Sequence, residues 1–126
     1  MKGVFYLTIL EKAKLIAKTM DRKKATDIVC LEVEKLTPLS DYFVICSAGN
    51  LPQVKAISDE IEDELSKNGF EPKKVKSHQL GEWVLLDYDD VIVHIFLNTA
   101  REFYNIEEHW NEATRVDLSD VVKEEE

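Results

Sequence analysis

The sequence has no pattern typical of a membrane span, of a disulfide framework or of a metal site. No stretch of its 126 residues approaches the roughly 18 consecutive apolar residues of a membrane-spanning helix. Its two cysteines, Cys30 and Cys46, lie in separate apolar runs, and there is no CxxC pair or Cys/His cluster. We therefore expect two buried free thiols, no metal, no cofactor and a reducing, cytoplasmic environment.

The start of the chain also lacks a signal for export. The segment MKGVFYLTIL is apolar, but it has no small-residue cleavage site and runs directly into Glu11 and Lys12. Residues 1–6 are therefore interpreted as a short N-terminal extension joined to the first helix.

Charge is distributed unevenly along the chain. Residues 1–35 carry a net charge of +3 and residues 36–126 carry −12, which gives the total of −9. An acidic body of this size repels phosphate backbones and is attracted to basic protein surfaces. We therefore expect a protein partner rather than sequence-specific nucleic acid. The lysines of the first third are typical of a solvated helix face.

The hydrophobic pattern predicts one α/β domain in the order α-β-β-α-β-β-β-α. Residues 7–113 form the predicted domain, and 114–126 are predicted to be an acidic, flexible tail. The second helix is expected to begin after Asn50, with Gln53 completing a capping box. The predicted helices cover 7–20 and about 51–68, and short helical turns are predicted from about 99 to 113. The predicted strands cover 27–33, 42–47, 73–76, 83–88 and 91–96.

The segment WVLLDYDDVIVHIF predicts a tight β-hairpin, because two apolar runs flank only Asp89-Asp90. Pairing outward from this turn gives two different faces, since side chains alternate along a strand. One face is wholly apolar, and the other carries aromatic side chains, a carboxylate and an imidazole. The apolar face pairs Tyr88 with Val91, Leu86 with Val93 and Val84 with Ile95; the mixed face pairs Trp83 with Phe96, Leu85 with His94 and Asp87 with Ile92.

Four segments together resemble the Iojap family, the ribosomal silencing factors. They are Asp27-Ile28-Val29, SDYFVIC from Ser40, the hairpin, and Arg101-Glu102-Phe103-Tyr104 through Glu107 to Trp110. They occur in order over roughly residues 8–113. The resemblance implies a nucleotidyltransferase-like α/β fold with a mixed sheet, here of five strands. It also implies binding to large-subunit ribosomal protein fourteen, a steric block to joining of the two ribosomal subunits, and homodimers of the free chain.

The resemblance implies a partner-binding role for the hairpin. The residues concerned are Trp83, Leu85, Leu86, Asp87, Tyr88 and Asp90, with His94, Arg101 and Tyr104 in support. The chain departs from the family pattern at Asp89, where glycine is usual, at Ser47-Ala48, where Thr-Gly is usual, and at His109, where leucine is preferred. Aspartate tolerates left-handed backbone geometry, so we expect the hairpin turn to be retained.

Two other interpretations stay open. Asp87-Tyr88-Asp89 is a DxD sequence, and paired carboxylates bind magnesium in nucleotidyltransferases, so the alternative is a nucleotide-binding protein or enzyme that uses Asp87 and Asp89. The other is a homodimeric scaffold that buries its hairpin face in its own interface. Asp87 is also placed diagonally to His94, within reach of an Asp–His hydrogen bond. Because no serine or cysteine accompanies that pair in the hairpin, we expect a structural histidine and no enzyme.

Overall fold

The computed structural model describes residues 7–78 and 80–123, so the predicted extension at residues 1–6 lies outside the described residues. Four helices and six strands occur in these residues. They follow the predicted α-β-β-α-β-β-β-α order, except that the closing helical turns form two short helices and a sixth strand comes after them. No helix within the described ranges is both long and apolar enough to cross a membrane. The elements are α1 Ile9–Arg22, β1 Thr26–Glu32, β2 Tyr42–Ala48, α2 Leu51–Lys67, β3 Lys74–His78, β4 Trp83–Asp87, β5 Val91–Leu97, α3 Asn98–Tyr104, α4 Ile106–His109 and β6 Thr114–Arg115.

The strands form one mixed sheet in the order β3-β4-β5-β2-β1-β6. Strands β2 and β5 are parallel and every other neighbouring pair is antiparallel. The predicted mixed α/β fold is confirmed, but the sheet has six strands instead of five. The additional strand β6 has only two residues, which pair with Leu31 and Glu32. Two residues are too few to give a readable alternation, so the pattern did not reveal them.

Side-chain caps define where the two long helices begin. The Thr8 hydroxyl accepts from the Glu11 N–H, and the Glu11 carboxylate accepts from the Thr8 N–H, which is a complete capping box. Asn50 caps α2 by accepting from the Gln53 N–H at 2.8 Å. The predicted second half of that box is shifted by one residue, because the Gln53 side chain accepts from the N–H of Gly49 instead of Asn50.

The sheet carries a different layer on each face. Helices α1 and α2 cover the first face and bury most of the core, in which Ile16, Ile61 and Leu65 pack with Leu86 and Ile95. The shorter α3 and α4 cover only part of the second face, over the cluster that contains Phe43, Ile45 and Phe96. Cys30 and Cys46 are both buried free thiols, as predicted, and burial raises the pKa of each to about 12.

The hairpin between β4 and β5 has the predicted register. Trp83 pairs with Phe96, Leu85 with His94 and Asp87 with Ile92. The turn is closed by the Asp87 carboxylate, which accepts from the N–H of Asp89 at 2.8 Å. Asp89 has a left-handed φ of 76°, so this aspartate adopts the backbone geometry expected of it and the hairpin turn is retained.

The C-terminal segment differs from the flexible tail expected from residue 114. Residues 114–123 follow the edge of β1 and then α1. The Val116 N–H donates to the Cys30 carbonyl at 2.9 Å, and the Lys14 ammonium pairs with the Asp120 carboxylate at 3.0 Å. Leu118 is buried against the core of the first face. The segment lacks periodicity because it is held by single contacts rather than by a helix or a long strand.

Deletion of residues 114–126 is expected to lower the free energy of unfolding by about 2 kcal/mol or more, since it removes the buried Leu118 side chain. It should also raise the rate at which a thiol reagent labels Cys30, because the segment bonds to the backbone of that residue. Denaturant unfolding and mass spectrometry of the labelled cysteines measure the two effects. Cys46 serves as the internal reference, and unchanged stability would contradict a packed C-terminal segment.

Candidate functional site

The hairpin divides the predicted binding residues between the two faces of the sheet. Trp83, Leu85 and Asp87 point to the second face and are each half-buried. Leu86 and Tyr88 point to the first face, beneath α1 and α2, where they are 0 % and 4 % exposed. Leu86 and Tyr88 were predicted to belong to a binding surface, but strand alternation places them in the core, so their side chains are not accessible in this fold. Burial also raises the pKa of the Tyr88 hydroxyl.

Asp90 forms an ion pair within the chain. Its carboxylate lies 2.7 Å from the Lys12 ammonium, whose side chain is nearly buried. The same ammonium lies 4.2 Å from the centre of the Phe70 ring, a cation–π contact. Asp90 was predicted to bind a partner, but in this structure it anchors α1 to the hairpin turn.

The DxD carboxylates are engaged with the turn itself. Asp87 accepts from the Asp89 N–H, and the Asp89 carboxylate lies 3.4 Å from the Lys73 ammonium. Within residues 7–78 and 80–123, no group of three or more His, Cys, Asp or Glu side chains is arranged to hold a metal ion. The geometry therefore assigns Asp87 a role in closing the hairpin.

Trp83 and His94 are joined across the hairpin by a hydrogen bond. The Trp83 indole N–H donates to Nδ1 of His94 at 3.2 Å. The indole also stacks on Phe96, with ring centres 5.0 Å apart, and contacts Tyr104 at 4.7 Å. The predicted Asp87–His94 hydrogen bond is wrong, because the indole occupies Nδ1 and the Asp87 carboxylate turns toward Asp89. One edge of Trp83 thus belongs to the core and the other faces solvent.

His94 is a neutral, buried histidine. Burial, together with the smaller effect of the nearby Arg101 guanidinium, lowers the pKa of its imidazole from 6.5 to about 3. Because Nδ1 accepts the indole proton, the single proton of the neutral ring is on Nε2. The imidazole ring also meets Phe43 edge-on, with centres 5.1 Å apart. His94 therefore supports the orientation of Trp83 without being a surface residue.

Arg101 connects the closing helices to the sheet. It donates to the Glu107 carboxylate at 2.7 Å, to the Ser47 hydroxyl at 2.7 Å and to the Asp27 carbonyl at 2.9 Å. Arg101 and Glu107 thus form an ion pair that links the two closing helices. Hydrogen bonding from Arg101 lowers the pKa of Glu107 below its usual value. Since α3 carries both Arg101 and Tyr104, this ion pair fixes the helix whose Tyr104 ring contacts Trp83.

An open area remains on the second face beside these helices. We define the docking patch as Trp83, Leu85, Asp87 and Ile92, all half-buried. A shallow depression of about 460 Å³ adjoins it and is lined by Lys76, Ser77, His78, Trp83 and Leu85. Ile92 was not among the predicted binding residues, although the predicted register placed it opposite Asp87 and therefore on this face. Lys76 and His78 were not among them either, because the sequence did not show which strand pairs with β3.

Burial of His94 predicts a pH-dependent stability. The unfolded histidine binds a proton near pH 6.5 whereas the folded one does so near pH 3, so acidification over this range favours the unfolded state. Between about pH 6 and pH 4, the wild type is expected to lose up to about 1.4 kcal/mol per pH unit more than His94→Gln. The glutamine introduced in this variant has the same charge in both states and an oxygen that can accept from the Trp83 indole.

Denaturant unfolding at a series of pH values measures the difference. Glu107 contributes in the same direction, because its lowered folded pKa adds stability that is lost as the pH falls through that pKa. This contribution is present in both proteins and therefore cancels. Parallel pH profiles for the wild type and His94→Gln would show that His94 is not buried in its neutral form.

Comparison with known proteins identifies the family. Residues 7–126 match the family described as "Ribosomal silencing factor during starvation". The chain is 40 % identical over 105 residues to the ribosomal silencing factor RsfS of Bacillus subtilis, covering 83 % of this chain and 89 % of that protein. It is 38 % identical over 109 residues to the chloroplastic protein Iojap of Zea mays; these are 86 % of this chain but 47 % of the maize protein.

Solved structures support the same assignment. A crystal structure of a protein from Chromobacterium violaceum aligns with a TM-score of 0.80 at 33 % identity, over 83 % of this chain and 88 % of that one. A crystal structure from Bacillus halodurans aligns with a TM-score of 0.72, also at 33 % identity, over 87 % of this chain and 97 % of that one. The family match over nearly the whole chain agrees with the four sequence segments and with the mixed α/β fold. The chain therefore belongs to the ribosomal silencing factor (RsfS) family.

Proposed function

We propose that this chain is a ribosomal silencing factor that binds protein fourteen of the large ribosomal subunit through the docking patch. Bound there, it occupies space that the small subunit needs, and so it represses translation in the cytoplasm. The family assignment supports the role, and the relative from Bacillus subtilis bears the name of a ribosomal silencing factor. The observation that carries the proposed site is the incomplete covering of the second face, which leaves Trp83 and Leu85 accessible.

The composition of the docking patch suits a protein partner. Trp83 and Leu85 offer aromatic and aliphatic surface, and aromatic side chains are enriched among the residues that dominate binding energy. Trp83 is also held in place by Phe96, Tyr104 and His94, so little side-chain freedom is lost when a partner covers it. The net charge of −9 attracts a basic ribosomal protein and accelerates encounter.

The proposed mechanism is steric exclusion without a chemical step. The buried titratable groups of the sheet suit a structural role. The His94 imidazole, with a pKa of about 3, stays neutral at physiological pH, and the Cys30 and Cys46 thiols, with pKa values of about 12, stay protonated. Homodimerisation of the free chain also belongs to the proposal, since an accessible apolar patch can pair with a second copy.

Sedimentation with separated ribosomal subunits tests the role directly. The wild-type chain is expected to migrate with large subunits, and increasing amounts of it should reduce the fraction of joined ribosomes when small subunits are added. The fraction of joined ribosomes is read from the gradient profile. Absence of migration with large subunits at low and moderate salt would overturn the proposed function. Binding without any loss of joined ribosomes would overturn steric exclusion alone.

Leu85→Ser is expected to weaken binding to large subunits about tenfold, because it removes apolar contact from the centre of the patch. Its matched control is Leu39→Ser, the same change at a leucine that is 70 % exposed in the β1–β2 loop, outside the patch. Titration of labelled protein with large subunits measures both affinities. Circular dichroism verifies that both variants are folded. Equal affinities for the two variants would contradict binding through the patch.

A further inference from the structure

The edge strand β3 is basic although the chain as a whole is acidic. Lys74, Lys76 and His78 alternate along it, and all three are exposed. They pair with Asp87, Leu85 and Trp83 of β4 respectively, and directly paired residues point to the same face of an antiparallel sheet. We call these three residues the basic strip. The strip therefore lies on the second face, immediately beside the docking patch.

The lysines of the strip have no counter-charge within the described chain. Among residues 7–78 and 80–123, neither Lys74 nor Lys76 forms an ion pair, although the adjacent Lys73 pairs with Asp89. Asp87 stands opposite Lys74 without forming an ion pair with it; its carboxylate accepts from the Asp89 N–H and offsets part of the positive charge at this end of the strip. Two ammonium groups are therefore available to an external anion.

The acidic side chains that dominate the net charge lie elsewhere. The outer surface of α2 carries Asp59, Glu62 and Asp63, and this helix covers the first face of the sheet. At physiological ionic strength, charges in water are screened beyond about 8 Å. A ligand that touches the strip at Lys76 therefore interacts more with the lysine charge than with the acidic surface of α2. The net charge of −9 consequently does not describe the second face at the edge of the sheet.

We propose that the basic strip binds phosphate groups of ribosomal RNA beside the protein that the docking patch contacts, an inference that rests on the proposed function. The large subunit consists of RNA and protein, so a chain seated on a surface protein meets RNA at the margin of its contact. The strip continues the patch on one face, with Lys76 next to Leu85 and His78 next to Trp83. Phosphate contacts of this kind add affinity and fix orientation without reading base sequence.

Neutralising the strip tests the proposal. The double variant Lys74→Gln/Lys76→Gln is compared with Lys55→Gln/Lys67→Gln, which removes the same charge from exposed lysines on α2. Each protein is titrated with purified large subunits at several salt concentrations, and separately with isolated protein fourteen free of RNA. The strip variant is expected to bind subunits about tenfold more weakly at low salt. For this variant, the slope of log K against log salt concentration should be shallower by about 1 for each lysine replaced.

Binding of the strip variant to isolated protein fourteen should equal that of the wild type. Subunit affinity and salt dependence equal to those of the α2 control would overturn the proposal and leave the lysines as a guard against edge-to-edge strand pairing. An equal loss of affinity for isolated protein fourteen would also overturn it, because the strip would then contact protein. If the wild type itself fails to bind subunits, the proposed function falls together with this inference.

Discussion

The parallel ladder between β2 and β5 is the interaction on which the rest of the structure depends. It runs without interruption from Tyr42–Val91 to Ala48–Leu97 and fixes the hairpin to the centre of the sheet. The same ladder places the end of β2 beside the start of α3, so that Arg101 reaches Ser47 and the Asp27 carbonyl. The β1–β2 register shifts between Thr26 and Val29, and Asp27 has a left-handed φ of 51° there. Arg101 thus bonds to an irregular point of the sheet and holds α3 over its second face.

The position of β4 in this sheet explains why its side chains contribute to both the core and the surface. Strand β4 lies between the central β5 and the exposed edge strand β3, so its first face is covered by α1 and α2, whereas α3 covers its second face only near Trp83. A partner therefore encounters side chains whose inner atoms are already fixed by packing. The Trp83–His94 hydrogen bond extends this preorganisation into the sheet, because the acceptor is itself buried among aromatic rings.

The sequence was most informative where local rules determine the structure. The two-residue turn and the strict alternation of β4 and β5 gave the correct register, and the predicted cap at Asn50 lies where α2 begins. The site was only partly predictable, because periodicity gives two faces without showing which one the helices cover. Leu86 and Tyr88 were therefore included with the binding residues although they are core. No local pattern specifies the packing of Leu118 or the Lys12–Asp90 pair, because these contacts join distant segments. No local pattern shows either that His94 bonds to the Trp83 indole instead of the Asp87 carboxylate.

The position of Trp83 gives the molecule an optical reporter at the surface proposed to bind its partner. The chain has two tryptophans, and the described structure places Trp83 at the docking patch and Trp110 edge-on to Phe43 at the end of α4. Indole emission depends on contact with water and on the polar groups bonded to the ring. A macromolecule that covers the patch therefore changes the emission of Trp83. Replacing Trp110 with phenylalanine leaves a single emitter, so association can be followed in real time without any attached dye.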